Sequence, residues 1–85
     1  MDSLSIYSRD EVSKHDKEND MWIIIGNFIY DVTKFGSLHP GGLPILIRSA
    51  GKDCTDEFRV YHNDHVLTKY HDKLCVGKLN EEVIV

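Results

Sequence analysis

The side chains best suited to chemistry in this chain are its five histidines. One of them, His39, lies in the segment FGSLHPGG, directly before a proline and two glycines. Pro40 fixes its own φ near about −65° and has no N–H, while the glycines reach positive φ and let the main chain pass close to another group. This setting indicates that His39 lies on a tight loop and presents its imidazole from a fixed bend.

Three further histidines, His62, His65 and His71, follow in the same half of the chain. They alternate with large apolar side chains, namely Phe35, Leu38, Ile45, Leu46, Phe58, Tyr61, Val66, Leu67 and Tyr70. This is more apolar bulk than short helices normally bury among themselves, so the pattern indicates an apolar cleft with imidazoles projecting into it. Such a cleft suits haem, a flat apolar cofactor whose iron commonly takes imidazole as an axial ligand.

Length and composition limit the possible functions. The 85 residues, of which 41% are hydrophobic, predict a single domain over residues 1–85 with a small core. Cys54 and Cys75 form neither a CxxC pair nor a CxxCH haem-attachment motif, which favours a reducing, cytoplasmic location over a disulfide scaffold. A net charge of −4 argues against nucleic acid as a partner. Because the chain shows no apolar leader and ends in NEEVIV, we expect a soluble monomer without a membrane anchor.

The elements that must position these side chains follow from local signals. Ser8 and Glu11 have the spacing of a capping box, which predicts a short helix over about residues 9–15. The run DMWIIIGNFIYD predicts two strands, Trp22–Ile25 and Phe28–Asp31, joined by a tight hairpin. The first of these strands is apolar throughout, so we expect it to be buried on both faces.

Three short helices and a closing strand are predicted in the second half. A helix over about residues 44–49 begins at Pro44 and stops at Gly51. Asp53 or Thr55 caps a second helix whose last turn reaches His62. A third helix covers HVLTKYH, and KLCVGKL is the closing strand. The predicted fold class is α+β, with a small mixed β-sheet and several short helices that form a crevice.

Taken together, these segments resemble the cytochrome b5 family of haem-binding domains. The resemblance rests on WIIIGNFIYDVTKFGSLHPGG, then AGKDCTDEF, a histidine and VGKL, and it runs from about Ser8 to Leu79. HPGG alone is moderately specific, and the preceding Trp22 and YDVTKF together with the downstream histidine make the match strong. The resemblance implies a b-type haem, held without covalent links between two histidines, that shuttles single electrons.

The resemblance makes His39 one axial ligand and leaves two candidates for the other. The family places its second ligand 23 or 24 residues after the motif histidine. Counted from His39, these two positions are His62 and Asn63. His62 is favoured because its spacing fits and because it follows the helix that contains Phe58. His65, about one helical turn further on, stays open as the alternative.

The resemblance also implies the wall of the crevice. Its apolar lining would be Ile25, Val32, Phe35, Ile45, Leu46, Phe58 and Leu67, with Tyr70 beside them. For Ile25 and Val32, ordinary core packing is an almost equally good interpretation. Asn63 lies where the family often has a serine that bonds a haem propionate, and its amide can donate likewise, although a surface role explains it nearly as well.

The predicted function is that of an electron carrier and not of an enzyme. Two imidazoles would fill both axial positions of the iron and leave none for oxygen or a substrate. The resemblance implies a flavin-dependent reductase as donor and an oxidase, desaturase or hydroxylase as acceptor. Two other interpretations stay open: a haem- or lipid-binding regulatory module without a redox role, and a zinc-stabilised domain that uses His62, His65 and Cys54 or Cys75.

The remaining histidines and the charges predict less. His15 and His71 have no supporting pattern, so both are expected to be ordinary surface residues. From His39 to Tyr70 the four acidic and four basic side chains cancel, whereas residues 1–38 hold seven acids and four bases. The family often has acidic residues directly after HPGG, where this chain has LP. We therefore expect weak electrostatic steering towards basic redox partners.

Overall fold

The structure is a computed structural model that describes residues 4–35 and 42–80. Five strands and four helices follow one another in these residues, and they confirm the predicted α+β class. In chain order they are β1 (Ile6–Tyr7), α1 (Arg9–Ser13), β2 (Asp16–Lys17), β3 (Asp20–Ile25), β4 (Phe28–Asp31), α2 (Leu43–Ser49), α3 (Thr55–Tyr61), α4 (Asp64–Leu74) and β5 (Cys75–Leu79). None of the helices in the described ranges is long and apolar enough to cross a membrane.

The strands form one mixed sheet in the order β1-β5-β4-β3-β2. β1 runs parallel to β5, and the other neighbouring strands are antiparallel. The predicted hairpin is confirmed: β3 and β4 pair from Trp22 with Asp31 to Ile25 with Phe28, and Gly26 at the turn adopts φ 65°. The sheet is extended at both edges by two-residue strands that the sequence did not predict.

Strand β3 is buried on both faces, as its apolar sequence predicted. Ile23 and Ile25 point into a first core, whose other buried residues are Met21, Tyr30, Val32, Leu46, Ala50 and Cys54. Ile24 points into a second core that contains Val12, Ile29 and Leu79. Complete burial of such a side chain contributes about 1.5–3 kcal/mol. Strand β3 therefore stabilises both cores at once.

Caps set the ends of the first two helices. The Ser8 hydroxyl accepts a hydrogen bond of 3.0 Å from the backbone N–H of Glu11, and α1 ends at Ser13, slightly earlier than predicted. Helix α2 begins after Gly42, which adopts φ 83°, and Gly51 follows its end at φ 79°. A side chain at either glycine would strain the backbone, because L-residues rarely adopt positive φ.

The start of α3 departs from the predicted cap. Cys54, and not Asp53 or Thr55, is the cap residue, and no side-chain bond caps the helix directly. The Asp53 carboxylate instead accepts from the backbone N–H and the hydroxyl of Thr55, at 3.0 and 2.6 Å, and the guanidinium of Arg9 donates to it at 3.2 Å. Burial acts to raise the pKa of Asp53, but these bonds outweigh it and hold that pKa below its usual range.

Candidate functional site

Helices α2, α3 and α4 pack against the first core but leave apolar side chains beside it partly exposed. Neither α3 nor α4 contains a buried residue, which is unusual for two helices that flank the core of a small domain. Phe35, Leu43, Phe58 and Leu67 are half-buried and pack against the first core. We call these four side chains the crevice wall. Their incomplete burial leaves apolar surface beside the core that a further apolar group could cover.

The predicted lining residues divide into two groups in the structure. Ile25, Val32 and Leu46 are buried members of the first core, so packing accounts for their apolar character. Phe35, Phe58, Leu67 and Tyr70 are half-buried, and the rings of Phe35 and Tyr70 meet edge-on with centroids 5.1 Å apart. Ile45 is 42% exposed on α2. The predicted ligand His39 lies outside the described residues.

His62 directly follows α3, where it caps the helix end in an extended conformation. Its imidazole stacks on the Phe58 ring, with centroids 4.6 Å apart and planes at 11°. Its Nδ1 lies 3.3 Å from the backbone carbonyl oxygen of Phe58. Since a carbonyl only accepts, Nδ1 carries the proton in this contact, and the lone pair resides on Nε2. A histidine in this tautomer, with its other nitrogen bonded to a carbonyl, is prepared to bind a metal ion.

Asn63 and His65, the other two residues considered for the site in this segment, lie at the start of α4. Asn63 is its cap: the side-chain oxygen accepts from the backbone N–H groups of His65 and Val66, at 3.0 and 3.3 Å. This explains Asn63 structurally and leaves its amide N–H₂ group as the atom that could donate to a carboxylate. The His65 side chain is exposed and makes no hydrogen bond within the described part of the chain.

Two histidines expected at the surface are instead half-buried and bonded. The His15 ring lies flat on Trp22, with centroids 3.6 Å apart, and its Nδ1 is 2.7 Å from an oxygen of Asp20. The Nδ1 of His71 lies 2.8 Å from the Tyr30 hydroxyl. The expectation of ordinary surface residues was therefore wrong for both, because the partners come from strands that sequence spacing does not place beside them.

Tyr61, one of the large apolar side chains from which the cleft was predicted, does not pack against the first core. It follows Phe58 by three positions, so both side chains project from the same face of α3. Yet Tyr61 is 80% exposed, whereas Phe58 packs against the first core. The aromatic face of α3 is thus covered by the core at Phe58 and open to solvent at Tyr61.

The donor set and its surroundings fit haem and not a structural zinc ion. In the ranges that the structure describes, no three His, Cys, Asp or Glu side chains converge as metal ligands would. Cys54 is buried, and burial, with help from Glu57 and Asp53, raises the pKa of its thiol to about 12. A single imidazole with a directed lone pair beside accessible aromatic and aliphatic surface is instead what a porphyrin needs.

Fold and site together define a small haem-binding α+β domain. Residues 8–80 match the family described as "Cytochrome b5-like Heme/Steroid binding domain", and the chain belongs to this family. The family that the sequence resembles is thereby confirmed.

Individual relatives agree with this assignment. A cytochrome b5 of Cuscuta reflexa is 40% identical over 84 residues, which is 99% of this chain and 62% of that protein. An acyl-lipid (8-3)-desaturase B of Dictyostelium discoideum is 51% identical over 61 residues, or 72% of this chain and 13% of that enzyme. The solved structure of the cytochrome b5 of Ostreococcus tauri virus 2 superposes with a TM-score of 0.81 at 43% identity, over 87% of this chain and 95% of that one. The chain thus spans less than two thirds of both the plant protein and the desaturase.

Proposed function

We propose that this domain binds one b-type haem without covalent links, between His39 and His62, and uses it to transfer single electrons. The observation that supports this most directly is the setting of His62. A carbonyl oxygen accepts from its Nδ1–H, an aromatic ring stacks on its plane, and Nε2 is the nitrogen that would bind iron. The HPGG segment would supply His39 from the opposite side.

Each part of the site has a separate task in this proposal. The Phe58 carbonyl fixes the tautomer and raises the basicity of His62, while the Phe58 ring limits rotation of the imidazole. The crevice wall and Tyr70 would offer apolar contact, and Ile25, Val32 and Leu46 would form the floor beneath. Asn63 would donate its amide N–H to a carboxylate at the rim. When bound, haem supplies the one-electron chemistry, and two imidazole ligands would exclude oxygen from the iron.

The decisive experiment is a hemin titration of the purified protein. We expect uptake of one equivalent, a six-coordinate low-spin spectrum, and sharp bands after reduction by dithionite. Carbon monoxide should not bind to the reduced form. Protein that stays colourless would contradict the proposal and favour the alternative of a lipid-binding module, and rapid formation of a carbon monoxide complex would show that one axial position is open.

Matched variants identify the second ligand. His62→Ala should lose the six-coordinate spectrum, and imidazole added to the solution should restore it. His65→Ala is the control, because that side chain is exposed and lies only three residues away. It should retain the wild-type spectrum. If His65→Ala loses the low-spin spectrum while His62→Ala keeps it, the assignment is reversed.

For partners, we propose a flavin-dependent reductase as donor and a desaturase, or another oxidase or hydroxylase, as acceptor. The acceptor is supported by the Dictyostelium relative, in which a similar segment forms part of an acyl-lipid desaturase. The donor rests on the family resemblance. A purified NADH-dependent flavin reductase should reduce the haem-loaded domain, and a desaturase should reoxidise it in the presence of its lipid substrate. Reduction by dithionite but by no flavin reductase would contradict the donor.

We also propose that the chain is a single, monomeric domain of a reducing, cytoplasmic compartment. The reducing compartment is supported by Cys54 and Cys75, which are both free thiols. The single domain is supported by the length of 85 residues. Sedimentation of the haem-loaded protein should give the mass of one chain, and a mass of two chains would contradict this part of the proposal.

A further inference from the structure

Helix α4 is held to the sheet by few strong contacts. It is 11 residues long and buries none of them completely. Leu67 and Leu74 are half-buried against the first core. Beside Leu67 the packing is open, since a cleft of about 300 Å³ lies between α4 and β4, lined by Phe28, Tyr30, Leu67, Thr68, His71 and Asp72. Apolar packing alone therefore fixes this helix weakly.

One polar contact compensates for this at the edge of the cleft. The hydroxyl of Tyr30, on β4, is 2.8 Å from Nδ1 of His71, on α4. In the part of the chain that the structure describes, it is the one side-chain hydrogen bond between α4 and the sheet. The His71 ring also meets the Phe28 ring edge-on, with centroids 4.9 Å apart. His71 is thus anchored to two neighbouring positions on the same face of β4.

Burial makes this bond a strong constraint. Tyr30 is 2% exposed, so little of its side chain reaches water, and if the bond broke, only the adjoining cleft could supply its hydroxyl with another partner. Burial, together with the nearby Cys75 thiol, raises the pKa of Tyr30 to about 12, and the group remains a hydroxyl at neutral pH. A hydroxyl both donates and accepts, so it can bond to Nδ1 of a neutral imidazole or accept from the N–H of a protonated one.

We propose that the Tyr30–His71 hydrogen bond is a latch that fixes α4 on the sheet and thereby sets how firmly the crevice retains its cofactor. His71 follows Leu67 by four positions and Tyr70 by one, so its anchorage fixes the part of α4 that presents Leu67 of the crevice wall and the neighbouring Tyr70. Tyr30 and His71 act here as positioning residues that do not touch the cofactor. The inference rests on the proposed haem function, because it concerns retention in the same crevice.

The test compares single and double variants in two measurements. Tyr30→Phe removes the hydroxyl and keeps the ring, and His71→Phe keeps an aromatic ring against Phe28 without a hydrogen bond. We expect each to speed hemin transfer to an excess of a haem-scavenging protein by about three- to tenfold, as the loss of one buried hydrogen bond implies. The double variant should be no faster than the faster single variant, since both remove the same bond.

Two further variants separate a latch from a general loss of stability. His71→Gln places an amide where it can still bond the hydroxyl, and it should release hemin at a rate within about twofold of wild type. Val12→Ala weakens the second core, in which none of the described core residues belongs to α4, and should lower the unfolding free energy without speeding release. Equal acceleration by Val12→Ala, or unchanged release in both Phe variants, would overturn the latch.

The second measurement is amide hydrogen exchange of the haem-free protein. Tyr30→Phe and His71→Phe should speed exchange in residues 64–74 more than in the sheet, and Val12→Ala should not show this preference. Uniform exchange changes across the domain would refute the latch. If the wild-type protein takes up no hemin at all, the proposed function fails instead, and the exchange pattern still decides whether the latch exists.

Discussion

Gly77 allows the sharpest prediction about the sheet. It is buried on β5, and an ideal Cβ at this position would lie 2.6 Å from the carbonyl oxygen of Ser5 and 2.7 and 2.9 Å from two ring carbons of Tyr7. Distances under about 3 Å do not occur in real packing, and one of the contacted atoms belongs to the backbone. In Gly77→Ala, the strand β1 must therefore move away from β5.

The magnitude follows from the contacts that this movement breaks. The backbone N–H of Lys78 donates to Ser5 at 2.8 Å, and that of Asn80 donates to Tyr7 at 2.8 Å. The Tyr7 ring meets Trp22 edge-on, with centroids 4.9 Å apart. Two hydrogen bonds of about 0.5–1.5 kcal/mol and one aromatic pair of similar worth give a loss of about 2–4 kcal/mol. For a domain of this size, each kcal/mol lowers Tm by about 4–8 °C.

The assay is urea unfolding of the haem-free protein, followed by far-UV circular dichroism and by the fluorescence of its single tryptophan, Trp22. Gly26→Ala is the matched control, because nothing lies within 4 Å of its Cβ position and only its φ of 65° opposes a side chain. The control should lose about 1 kcal/mol. If Gly77→Ala is no less stable than Gly26→Ala, the close approach of β1 to β5 is not a real constraint.

Three further predictions concern charge and reactivity. Asp53→Ala should lower the unfolding free energy by about 1 kcal/mol at pH 7. Because hydrogen bonds lower the pKa of Asp53 in the folded state, this difference should persist above about pH 4, near the pKa of the unfolded state, and disappear as pH falls through the pKa of the folded state. Urea titrations at several pH values would measure it. Iodoacetamide at pH 8 should modify half-buried Cys75 well before buried Cys54, whose pKa is raised to about 12, and mass spectrometry showing equal rates would contradict this order. Association with a strongly basic electron acceptor should slow by less than about tenfold between low and physiological salt in stopped-flow measurements, whereas a steep decrease would reveal an acidic docking rim.

Local signals in the sequence were sufficient for most of the fold. The hairpin at Gly26, the helix cap at Ser8 and the stop at Gly51 each depend on neighbouring residues, and each appears in the structure at the predicted residue. The edge strands β1 and β2 have two residues each and show no alternation, so no pattern could predict them. Helix α4 begins after its cap Asn63 and extends to Leu74, so Lys73 and Leu74, which were predicted to open the closing strand, are helical and β5 begins only at Cys75.

The site was predictable where its residues adjoin in sequence, and not where the sheet brings distant residues together. Phe58 and His62 are four positions apart, and their contact follows from helix geometry. Tyr30 and His71 are 41 positions apart, and only the packing of α4 against β4 brings them into contact. His39 remains a prediction from its motif, since it lies outside the residues that the structure describes.

The parallel pairing of β1 with β5 has a consequence for protein engineering. Ile6 lies opposite Lys78, and Tyr7 lies opposite Leu79, so the first and the last described strands are neighbours at one edge of the sheet. Because the two strands run in the same direction, sequences grafted before Ile6 and after Leu79 would leave this edge towards opposite ends of the strands. Proteins fused to both ends of the domain would therefore be directed away from each other.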